Sequence, residues 1–389
     1  MKCLGVIALI NFSEWDAPDY QEAGGINSVI KNLLPFLKSD KIILYGLTTR
    51  RENLFQRRIL TEHISVFPIL FVEPGSIVPR RVFGFLLGWR LLKYCKVHEV
   101  ELIYSHSEEL CFWLTFSKIP YIHHLHTYVN ALEVSGARLA QFKIFRVLWD
   151  KLRTRVIKNA FKMIAVNSDV TKLGARLIGR ERVIEFPNYV DTDKFRHTDF
   201  QNLKQKLRLD DKKICLFIGR ISAVKGLELF VDVLEMLNNE SSFVWIGIIV
   251  GTGEYEQSIK TYIHSKKLSD HFIFAGVEND PVELSRYYSM ADVFSITSIS
   301  ESVPLTLLES LSCGTPVVST DIGISKDVLD NRTNGFVCSS RSSIEFSKRV
   351  LECLEFKSGY SLLPNQQMYT VKNASELLNK EILGEKGVH

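Results

Sequence analysis

The sequence lacks the features that mark several classes of protein. It contains no run of about 18 apolar residues, the length that a membrane-spanning helix needs. Its seven cysteines stand singly with no Cys-x-x-Cys pair, which argues against a disulfide framework and against a cysteine-based zinc site. The net charge of +4 is too small to indicate nucleic-acid binding. The composition, with 46% hydrophobic and 24% charged residues, is instead typical of a globular enzyme.

The N-terminal stretch 3–12 is apolar enough to pass for a short signal peptide. No small-residue cleavage site follows it, because Ser13, Glu14, Trp15 and Asp16 come next. We therefore interpret this stretch as a buried first strand. Together with the unpaired cysteines, it predicts a cytoplasmic protein with reduced thiols.

Charge is distributed unevenly along the chain. Residues 1–195 contain 27 Lys+Arg against 19 Asp+Glu, a net of +8, and the remainder contains 21 against 25, a net of −4. This asymmetry predicts that the two halves have different partners.

Short apolar runs alternate with amphipathic helical patterns. Strands are predicted at 3–10, 41–47, 102–105, 121–124, 163–166, 214–218, 244–250, 272–274, 293–296 and 316–319, and helices at 27–37, 199–209, 227–237, 255–266 and 305–312. This alternation indicates an α/β fold with parallel sheets covered by helices on both faces. Active sites of such folds lie beyond the carboxyl ends of the strands, so the loops there should carry the chemistry. A break between two halves is predicted near residues 186–195.

The most informative segment is 298–320. A polar loop that contains Glu301 is followed by Pro304, at a position suited to a first helical turn, and then by an apolar helix. Free backbone N–H groups near residues 302–305 predict an anion site suited to a diphosphate. Glu309 lies about 7–8 Å further along the helix axis, so the two carboxylates are expected to bracket a ligand, one at sugar and one at ribose hydroxyls. A bare pair of glutamates at this spacing is also typical of an exposed helix face.

The residues around this pair carry a resemblance to a known family. Glu301-x7-Glu309, followed by Gly314-Thr315-Pro316-Val317-Val318, resembles the signature of the GT-B glycosyltransferases of the type 4 class. Segments 217–226, 250–254 and 274–277 are similar to the family's next elements, in the family's order. In the first of them the family uses an Arg and a Lys, here Arg220 and Lys225, to hold the donor pyrophosphate, a task that suits two cations.

The N-terminal half matches the family at fewer positions. Gly24 and Gly25 follow the first strand, where glycines let the backbone approach a phosphate or sugar closely. Residues 119–127 end a strand with His123, His124 and His126. A metal site is one interpretation, because His124 and His126 share a face of the strand. The family instead places a single histidine at the position of His126, facing the donor sugar, and we expect no metal.

The resemblance implies a complete set of expectations. The fold is two Rossmann-like domains with parallel sheets facing a central cleft, 1–190 on the acceptor side and 191–370 on the nucleotide-sugar side, with 371–389 returning to the first. The activity is transfer of a sugar, with retention, from a UDP- or GDP-sugar to a glycan or lipid-linked acceptor, without an essential metal. The catalytic residues implied are His126, Arg220, Lys225 and Glu301, and the donor-binding residues are Gly24, Gly25, Gly219, Gly253, Val277, Ser302, Val303, Pro304, Leu305 and Glu309.

Two alternatives to this interpretation stay open. A sugar-nucleotide epimerase or hydrolase shares the same architecture, and so does a non-catalytic sugar-nucleotide-binding subunit. The sequence also departs from the family's usual Gly-Phe after the first glutamate, where Ser302 and Val303 stand. That difference bears on which sugar is bound.

Two basic segments with aromatic residues predict a membrane-facing surface. One begins at Arg80 and ends at Arg90, and the other begins at Arg138 and ends at Lys162 and contains eight Lys or Arg against one Asp. Basic amphipathic helices suit anionic membrane surfaces, although core-facing helices with solvated faces give the same pattern. We expect peripheral contact with the inner face of the cytoplasmic membrane, in bacterial surface-polysaccharide synthesis, and no binding of nucleic acid.

Overall fold

The structure is a computed structural model of the chain. It describes residues 3–11, 30, 33–76, 78, 80–126, 143–186, 189–301, 304–330, 333–356 and 370–380. The chain divides into two compact units, one formed by Met1–Pro187 with Ala374–His389 and the other by Asn188–Asn373. Asn379 ties the C-terminal segment to the N-terminal unit, since its Nδ2 donates to the carbonyl of Phe36 at 2.8 Å and its Oδ1 accepts from the amide of Lys38 at 2.8 Å.

The N-terminal unit is built on an eight-stranded sheet. Its strands are β1 (Cys3–Asn11), β2 (Lys41–Thr48), β3 (Arg58–Ile59), β4 (Ile64–Phe71), β5 (Leu102–Ser105), β6 (Tyr121–Leu125), β7 (Lys162–Ala165) and β8 (Val183–Glu185). They lie in the order β3-β4-β2-β1-β5-β6-β7-β8, and all neighbours are parallel except β3 and β4. The strand order reverses between β1 and β5, so ligands are expected beyond the carboxyl ends of these two strands.

Helices of the N-terminal unit are joined by buried charges. They are α1 (Arg80–Val97), α2 (Glu108–Leu114), α3 (Lys143–Asn159) and α4 (Ser168–Ile178). Glu108 of α2 lies 3.3 Å from Arg153 of α3, and Glu109 lies 3.0 Å from Arg81 of α1. Burial raises the pKa of both carboxyls, and the arginines partly oppose the rise. Because unpaired buried charges are costly, these pairs fix α1 and α3 against α2.

The C-terminal unit has a six-stranded parallel sheet. Its strands are β9 (Lys213–Ile218), β10 (Trp245–Val250), β11 (Phe272–Gly276), β12 (Val293–Ile296), β13 (Val317–Thr320) and β14 (Gly335–Cys338), in the order β11-β10-β9-β12-β13-β14. The helices are α5 (Gln201–Lys206), α6 (Leu227–Glu240), α7 (Glu256–Ser265), α8 (Pro281–Met290), α9 (Leu305–Ser312), α10 (Ser325–Val328) and α11 (Ser343–Cys353). A further helix, α12 (Val371–Leu378), begins in this unit and ends in the N-terminal unit, which resumes at Ala374. The order reverses between β9 and β12, which makes the loops after these strands the expected ligand site.

Both faces of this second sheet are covered. Along β10, Ile246, Ile248 and Val250 belong to one buried cluster, whereas Trp245 and Ile249 belong to another. Successive side chains of a strand point to opposite faces, so an almost uninterrupted apolar strand requires helices on both sides. The predicted α/β fold with two parallel, Rossmann-like sheets is confirmed.

The structure differs from the predicted elements in a few places. β4 was not predicted, because Pro68 interrupts its apolar run; a register shift at Gly46 and Leu47 of β2 lies opposite and accommodates the proline. Pro304 is the N-cap of α9 with extended ψ of 112°, not a residue of the first turn. The interpretation of α1 as amphipathic was wrong, because α1 has apolar side chains on its buried face and also on its exposed face.

Candidate active site

Two loops meet at the point where the strand order of the C-terminal sheet reverses. The amide of Ile299, after β12, donates to the carbonyl of Val224, after β9, at 2.8 Å. The hydroxyl of Thr297 donates to the carbonyl of Lys225 at 3.0 Å. These bonds hold the loops together and bring Lys225 Nζ to 2.8 Å from Glu301 Oε1, with only 22% and 18% of the two side chains exposed. The structure therefore joins two predicted site residues in one half-buried ion pair.

The loop that carries Glu301 is braced from a third strand. Arg341, which follows β14, donates from Nη1 to the carbonyls of Thr297 at 2.7 Å and Ser298 at 3.0 Å. The hydroxyl of Ser298 in turn donates to Glu301. Sequence reasoning missed Arg341, because nothing in its local pattern indicates a partner in a distant loop. Its guanidinium fixes the backbone on which the catalytic candidate Glu301 stands.

Two glycines permit the close approach of these loops. Gly226 ends the turn after Lys225 with φ of +60°, and a Cβ there would lie 2.4 Å from the carbonyl oxygen of Thr297. A Cβ on Gly253 would lie 2.1 Å from the carbonyl oxygen of Ile221. Side chains at either position would force backbone apart, so the glycines are required by the packing of the site as well as by any ligand.

Arg220 lies in the same β9–α6 loop, beyond Gly219. Its guanidinium contacts Glu254 at 3.0 Å, and 66% of the side chain is exposed. An exposed pair of this kind contributes little to stability, about 0–1 kcal/mol. Arg220 is therefore free to exchange Glu254 for another anion at small cost. The amide of Gly219 donates to the carbonyl of Val250 at 3.0 Å, which links this loop to the β10 loop that carries Glu254.

Glu309 lies in α9 against α8. Its Oε2 accepts a hydrogen bond from the hydroxyl of Tyr288 at 2.8 Å. Burial raises the pKa of Glu309 to about 7, and the tyrosine hydrogen bond opposes the rise. A carboxyl with this pKa exchanges its proton near neutral pH, so a ligand that donates hydrogen bonds to it would favour the ionised form.

The remaining donor-side candidates are placed as follows. Val277 follows Gly276 at the end of β11 and is exposed. Leu305 begins α9 directly after Pro304. Ser302 and Val303, like Gly24 and Gly25 of the N-terminal half, lie outside the described residues. The structure therefore brings Gly219, Lys225 and Glu301 into connected loops, and it leaves these four positions untested.

A histidine cluster lies at the carboxyl ends of β5 and β6 in the N-terminal unit. His126 Nε2 lies 2.9 Å from His106 Nδ1, and His124 Nδ1 lies 2.7 Å from the hydroxyl of Tyr104. Burial lowers the pKa of His126 to about 4, and it lowers those of His106 and His124 as well, so these rings are neutral at pH 7. His106 was missed in the sequence, although its place directly after β5, where the strand order reverses, is a usable signal.

The surface of α3 combines charge with exposed apolar side chains. Ile144 and Leu148 are 65% and 54% exposed, and Phe145 and Val147 are also exposed. The first part of the basic segment, residues 138–142, lies outside the described residues. In the described part of the chain, the helices are all too short or too polar to cross a membrane.

Comparison with known proteins places the chain in a family. Residues 23–194 match the family Glycosyltransferase Family 4, and residues 199–375 match the family Glycosyl transferases group 1. The chain is 28% identical over 241 residues to D-inositol 3-phosphate glycosyltransferase of Xylanimonas cellulosilytica, covering 57% of this chain and 55% of that protein. It is also 28% identical over 245 residues to alpha-monoglucosyldiacylglycerol synthase of Streptococcus pneumoniae, covering 59% of this chain and 54% of that protein.

The chain spans about half the length of the curated relatives it matches. Among solved structures, Anabaena HepE in complex with UDP-glucose is similar in fold, with a TM-score of 0.67, 19% identity, and coverage of 98% of this chain and 95% of that chain. The two family matches follow one another along most of the sequence, each on its own Rossmann-like unit. On these grounds the chain belongs to the GT-B glycosyltransferases.

Proposed function

We propose that the protein transfers a sugar, with retention of anomeric configuration, from a UDP- or GDP-sugar to a glycan or lipid-linked acceptor. The observation that carries the proposal is the Lys225–Glu301 pair, held between the loops at the reversal of strand order in the C-terminal sheet. A cation and a carboxylate in contact at such a site suit a ligand that has a phosphate next to a polyol.

The donor diphosphate would bind Arg220, Lys225 and the N-terminal end of α9. Two cations balance the charge of a nucleoside diphosphate as it leaves, which is a role that a metal fills in other transferases. Arg220 is available because its exposed pair with Glu254 is weak. The α9 N-terminus adds free amides and the positive end of the helix dipole. This assignment implies no essential metal at the diphosphate.

The two glutamates would divide the rest of the donor between them. Glu301, held by Lys225 and Ser298, would accept hydrogen bonds from the sugar hydroxyls. Glu309, held by Tyr288, would accept from the ribose hydroxyls. Val277 would lie beside the nucleobase. Because the pKa of Glu309 is raised, we expect its carboxyl to lose a proton when the donor binds.

The chemical step needs no separate base in this proposal. The acceptor oxygen attacks the anomeric carbon on the face from which the phosphate leaves, and the departing phosphate oxygen takes the acceptor's proton. His126 belongs to the N-terminal unit and, as a neutral imidazole, would position the donor sugar by hydrogen bonding without adding charge. Gly24 and Gly25 would allow close approach of backbone to the same ligand.

The acceptor is proposed to be membrane-associated. The exposed apolar residues of α3 lie among basic ones, a combination that suits an anionic lipid surface. One relative is named as a synthase of a glycosylated diacylglycerol, which supports a lipid or lipid-linked acceptor for this chain too. A role in surface polysaccharide or glycolipid synthesis at the inner face of the cytoplasmic membrane fits these features.

Donor binding and slow donor hydrolysis across a panel of UDP- and GDP-sugars test the proposal. We expect one donor to bind and turn over, and we expect Arg220→Ala and Glu309→Ala to remove both binding and turnover. Arg349→Ala, which removes an arginine that pairs with Glu352 within α11, should leave both intact. An epimerised donor as product would favour the epimerase alternative. Binding with no turnover, even with acceptors supplied, would favour the non-catalytic subunit, and no binding at millimolar concentration would contradict the proposal.

A further inference from the structure

A cavity in the N-terminal unit plays no part in the proposed transfer reaction. It has a volume of about 470 Å³ and lies where the loop between β2 and β3 meets the second half of α1. Small-ligand sites typically measure about 300–1,000 Å³. Three aromatic rings, two cationic side chains and one leucine line the cavity, namely Phe55, Trp89, Tyr94, Arg90, Lys93 and Leu92.

The cavity lies toward the amino ends of the strands. α1 begins after β4 and runs back along the sheet, and Trp89 and Tyr94 lie about 14–21 Å from its first residue along the helix axis. Just after the helix, the amide of Glu101 donates to the carbonyl of Cys3, the first residue of β1, at 3.0 Å. Substrates of such folds bind at the opposite edge, beyond the carboxyl ends of the strands, so the cavity is a separate site.

The aromatic rings of the cavity form a supported platform. Trp89 and Phe55 are 58% and 43% exposed, which are large fractions for aromatic side chains. Phe55 stacks on Tyr94 with ring centroids 5.6 Å apart, and Tyr94 packs edge-on against the buried Phe67 at 5.1 Å. The core thus supports rings whose outer faces are open to solvent.

The backbone of Phe55 is strained. Its φ is +62°, in the left-handed region that few bulky residues adopt. The amide of Phe55 donates to the carbonyl of Pro68 at 2.9 Å, which fixes this conformation. A costly conformation that leaves an aromatic ring in solvent does not serve stability, and strain of this kind is found most often at ligand sites.

Two cations lie over the rings of this platform. The Arg90 guanidinium lies 6.0 Å from the centre of the Phe55 ring, and Lys93 Nζ lies 5.7 Å from that of Tyr94. Arg90 is fixed, because its Nη1 donates to the carbonyl of Ile69 at 3.0 Å. Lys93 is exposed and can turn toward a ligand. The site is therefore complementary to an anion that has an apolar face.

We propose that the cavity binds a segment of an acidic glycan, with a sugar ring stacked on Phe55 and Trp89 and an acid group at Lys93. The C–H groups on the face of a sugar ring pack well against the electron-rich face of an aromatic ring. The segments 50–58 and 89–97, which supply the lining residues, contain seven Lys or Arg and one Asp or Glu. That excess of positive charge suits sugars with carboxylate or phosphate groups. The choice of a glycan rests on the proposed function, in which the chain handles glycans.

The shape of the cavity disfavours two other anionic ligands. A bilayer surface is contacted by side chains that project from a helix, whereas these rings line a concavity. A nucleoside diphosphate is usually bound at the N-terminus of a helix, whereas the cavity is lined by the second half of α1. Both ligands enter the test as competitors.

Glycan binding without any donor tests the proposal. The full-length chain is titrated by calorimetry with tetragalacturonate, an acidic oligosaccharide, and with the neutral maltotetraose. We expect a Kd of about 1 mM or tighter for tetragalacturonate and binding at least about 10-fold weaker for maltotetraose. UDP, GDP and phosphatidylglycerol vesicles should not displace tetragalacturonate.

Variants at exposed positions, each with a matched control, assign the site. Trp89→Ala should weaken tetragalacturonate binding by about 5–10-fold through lost stacking, and Lys93→Gln by about 3–5-fold through a lost exposed ion pair. Phe116→Ala removes an equally exposed ring, which has the Arg155 guanidinium 4.2 Å from its centre, and Lys96→Gln removes an exposed lysine of α1 that does not line the cavity. Both controls should bind as the wild type does. Circular dichroism verifies that each variant is folded.

Four results would overturn the proposal. They are no binding of tetragalacturonate by the wild type, equal affinity for maltotetraose, equal losses in the cavity variants and their controls, and displacement by the vesicles or by UDP or GDP. Displacement would assign the cavity to a lipid headgroup or to a nucleotide. Since the titrations contain no nucleotide sugar, failure here is distinguishable from failure of the proposed transferase activity, which the donor panel measures.

Discussion

Lys225 Nζ and Glu301 Oε1 lie 2.8 Å apart, although the two residues belong to loops after different strands. Two hydrogen bonds between the loops set this distance, one from the Ile299 amide to the Val224 carbonyl and one from the Thr297 hydroxyl to the Lys225 carbonyl. The ion pair is thus a product of loop packing. In the proposed transferase it is also where the donor's phosphate and sugar would meet.

Lys225→Ala should weaken UDP- or GDP-sugar binding by about 10–100-fold, because a charged hydrogen bond contributes about 1.5–3 kcal/mol and Glu301 would be left to repel the diphosphate. Isothermal titration measures the change. Lys326→Ala is the matched control, since Lys326 pairs with Asp321 at the surface of the same unit. Equal losses in both variants would contradict a specific role for Lys225.

Arg341→Ala should weaken donor binding by about 3–10-fold without removing a proposed ligand contact. The carbonyls of Thr297 and Ser298 would each lose one hydrogen bond, worth about 1 kcal/mol, that holds the loop of Glu301 in place. The same titration measures it. Arg349→Ala is the control, because it removes an arginine that pairs with Glu352, and this variant should bind the donor as the wild type does. Unchanged binding in Arg341→Ala would show that the loop keeps its position without the brace.

Glu309→Gln should change the pH dependence of stability. The folded pKa of about 7 lies above the ordinary 4.5, so the folded protein holds a proton that the unfolded chain loses between these values. The free energy of unfolding of the wild type therefore falls as pH rises from about 4.5 to 7. The substituted glutamine carries no charge, so the free energy of unfolding of the variant should rise relative to that of the wild type by about 1–2 kcal/mol across this pH window. This is less than the full pKa shift would give, because the side chain is partly exposed.

Thermal unfolding of both proteins at pH 4.5 and pH 8 measures this gain. Glu240→Gln, at an exposed position in α6, is the control for replacing a glutamate with glutamine. A pH-independent difference for Glu309→Gln would mean that the carboxyl is ionised throughout.

Gly253→Ala should destabilise the C-terminal unit by about 2 kcal/mol or more, because the new Cβ would lie 2.1 Å from the backbone oxygen of Ile221. Gly276→Ala is the comparison. Its φ of +75° is unfavourable for alanine, but no atom of the described residues lies within 4 Å of the new Cβ, so the cost should be about 1 kcal/mol. Urea denaturation measures both, and the reverse order would refute the steric argument.

The double variant Ile144→Ser and Leu148→Ser should reduce binding to phosphatidylglycerol vesicles by about 10-fold or more, because each apolar side chain contributes about 1.5–3 kcal/mol when fully buried. Vesicle sedimentation measures the bound fraction. Ile344→Ser on α11 removes an equally exposed isoleucine from the C-terminal unit and should bind as the wild type does. If the double variant also binds normally, α3 is not the docking surface.

Much of the fold was readable in the sequence. The predicted strand 293–296 and the helix 305–312 coincide with β12 and α9, because apolar runs bounded by turn residues leave little choice of structure. β4 was missed because a proline within an apolar run speaks against a central strand, and only the neighbouring strand's register shift accommodates it. The interpretation of α1 as amphipathic was wrong because the sequence pattern does not say which face of the helix is covered by the rest of the protein.

The sequence by itself determined the class of fold, because alternating apolar and amphipathic runs are local patterns, and its resemblance to a known family supplied the candidate residues Arg220, Lys225, Glu301 and Glu309. Only the tertiary structure decided which residues are partners. The contact of Arg341 with the Glu301 loop, the hydrogen bond from Tyr288 to Glu309 and the convergence of His106 with His126 join segments far apart in the chain. Such contacts arise from the order of strands in a sheet, which brings together loops that no local pattern connects.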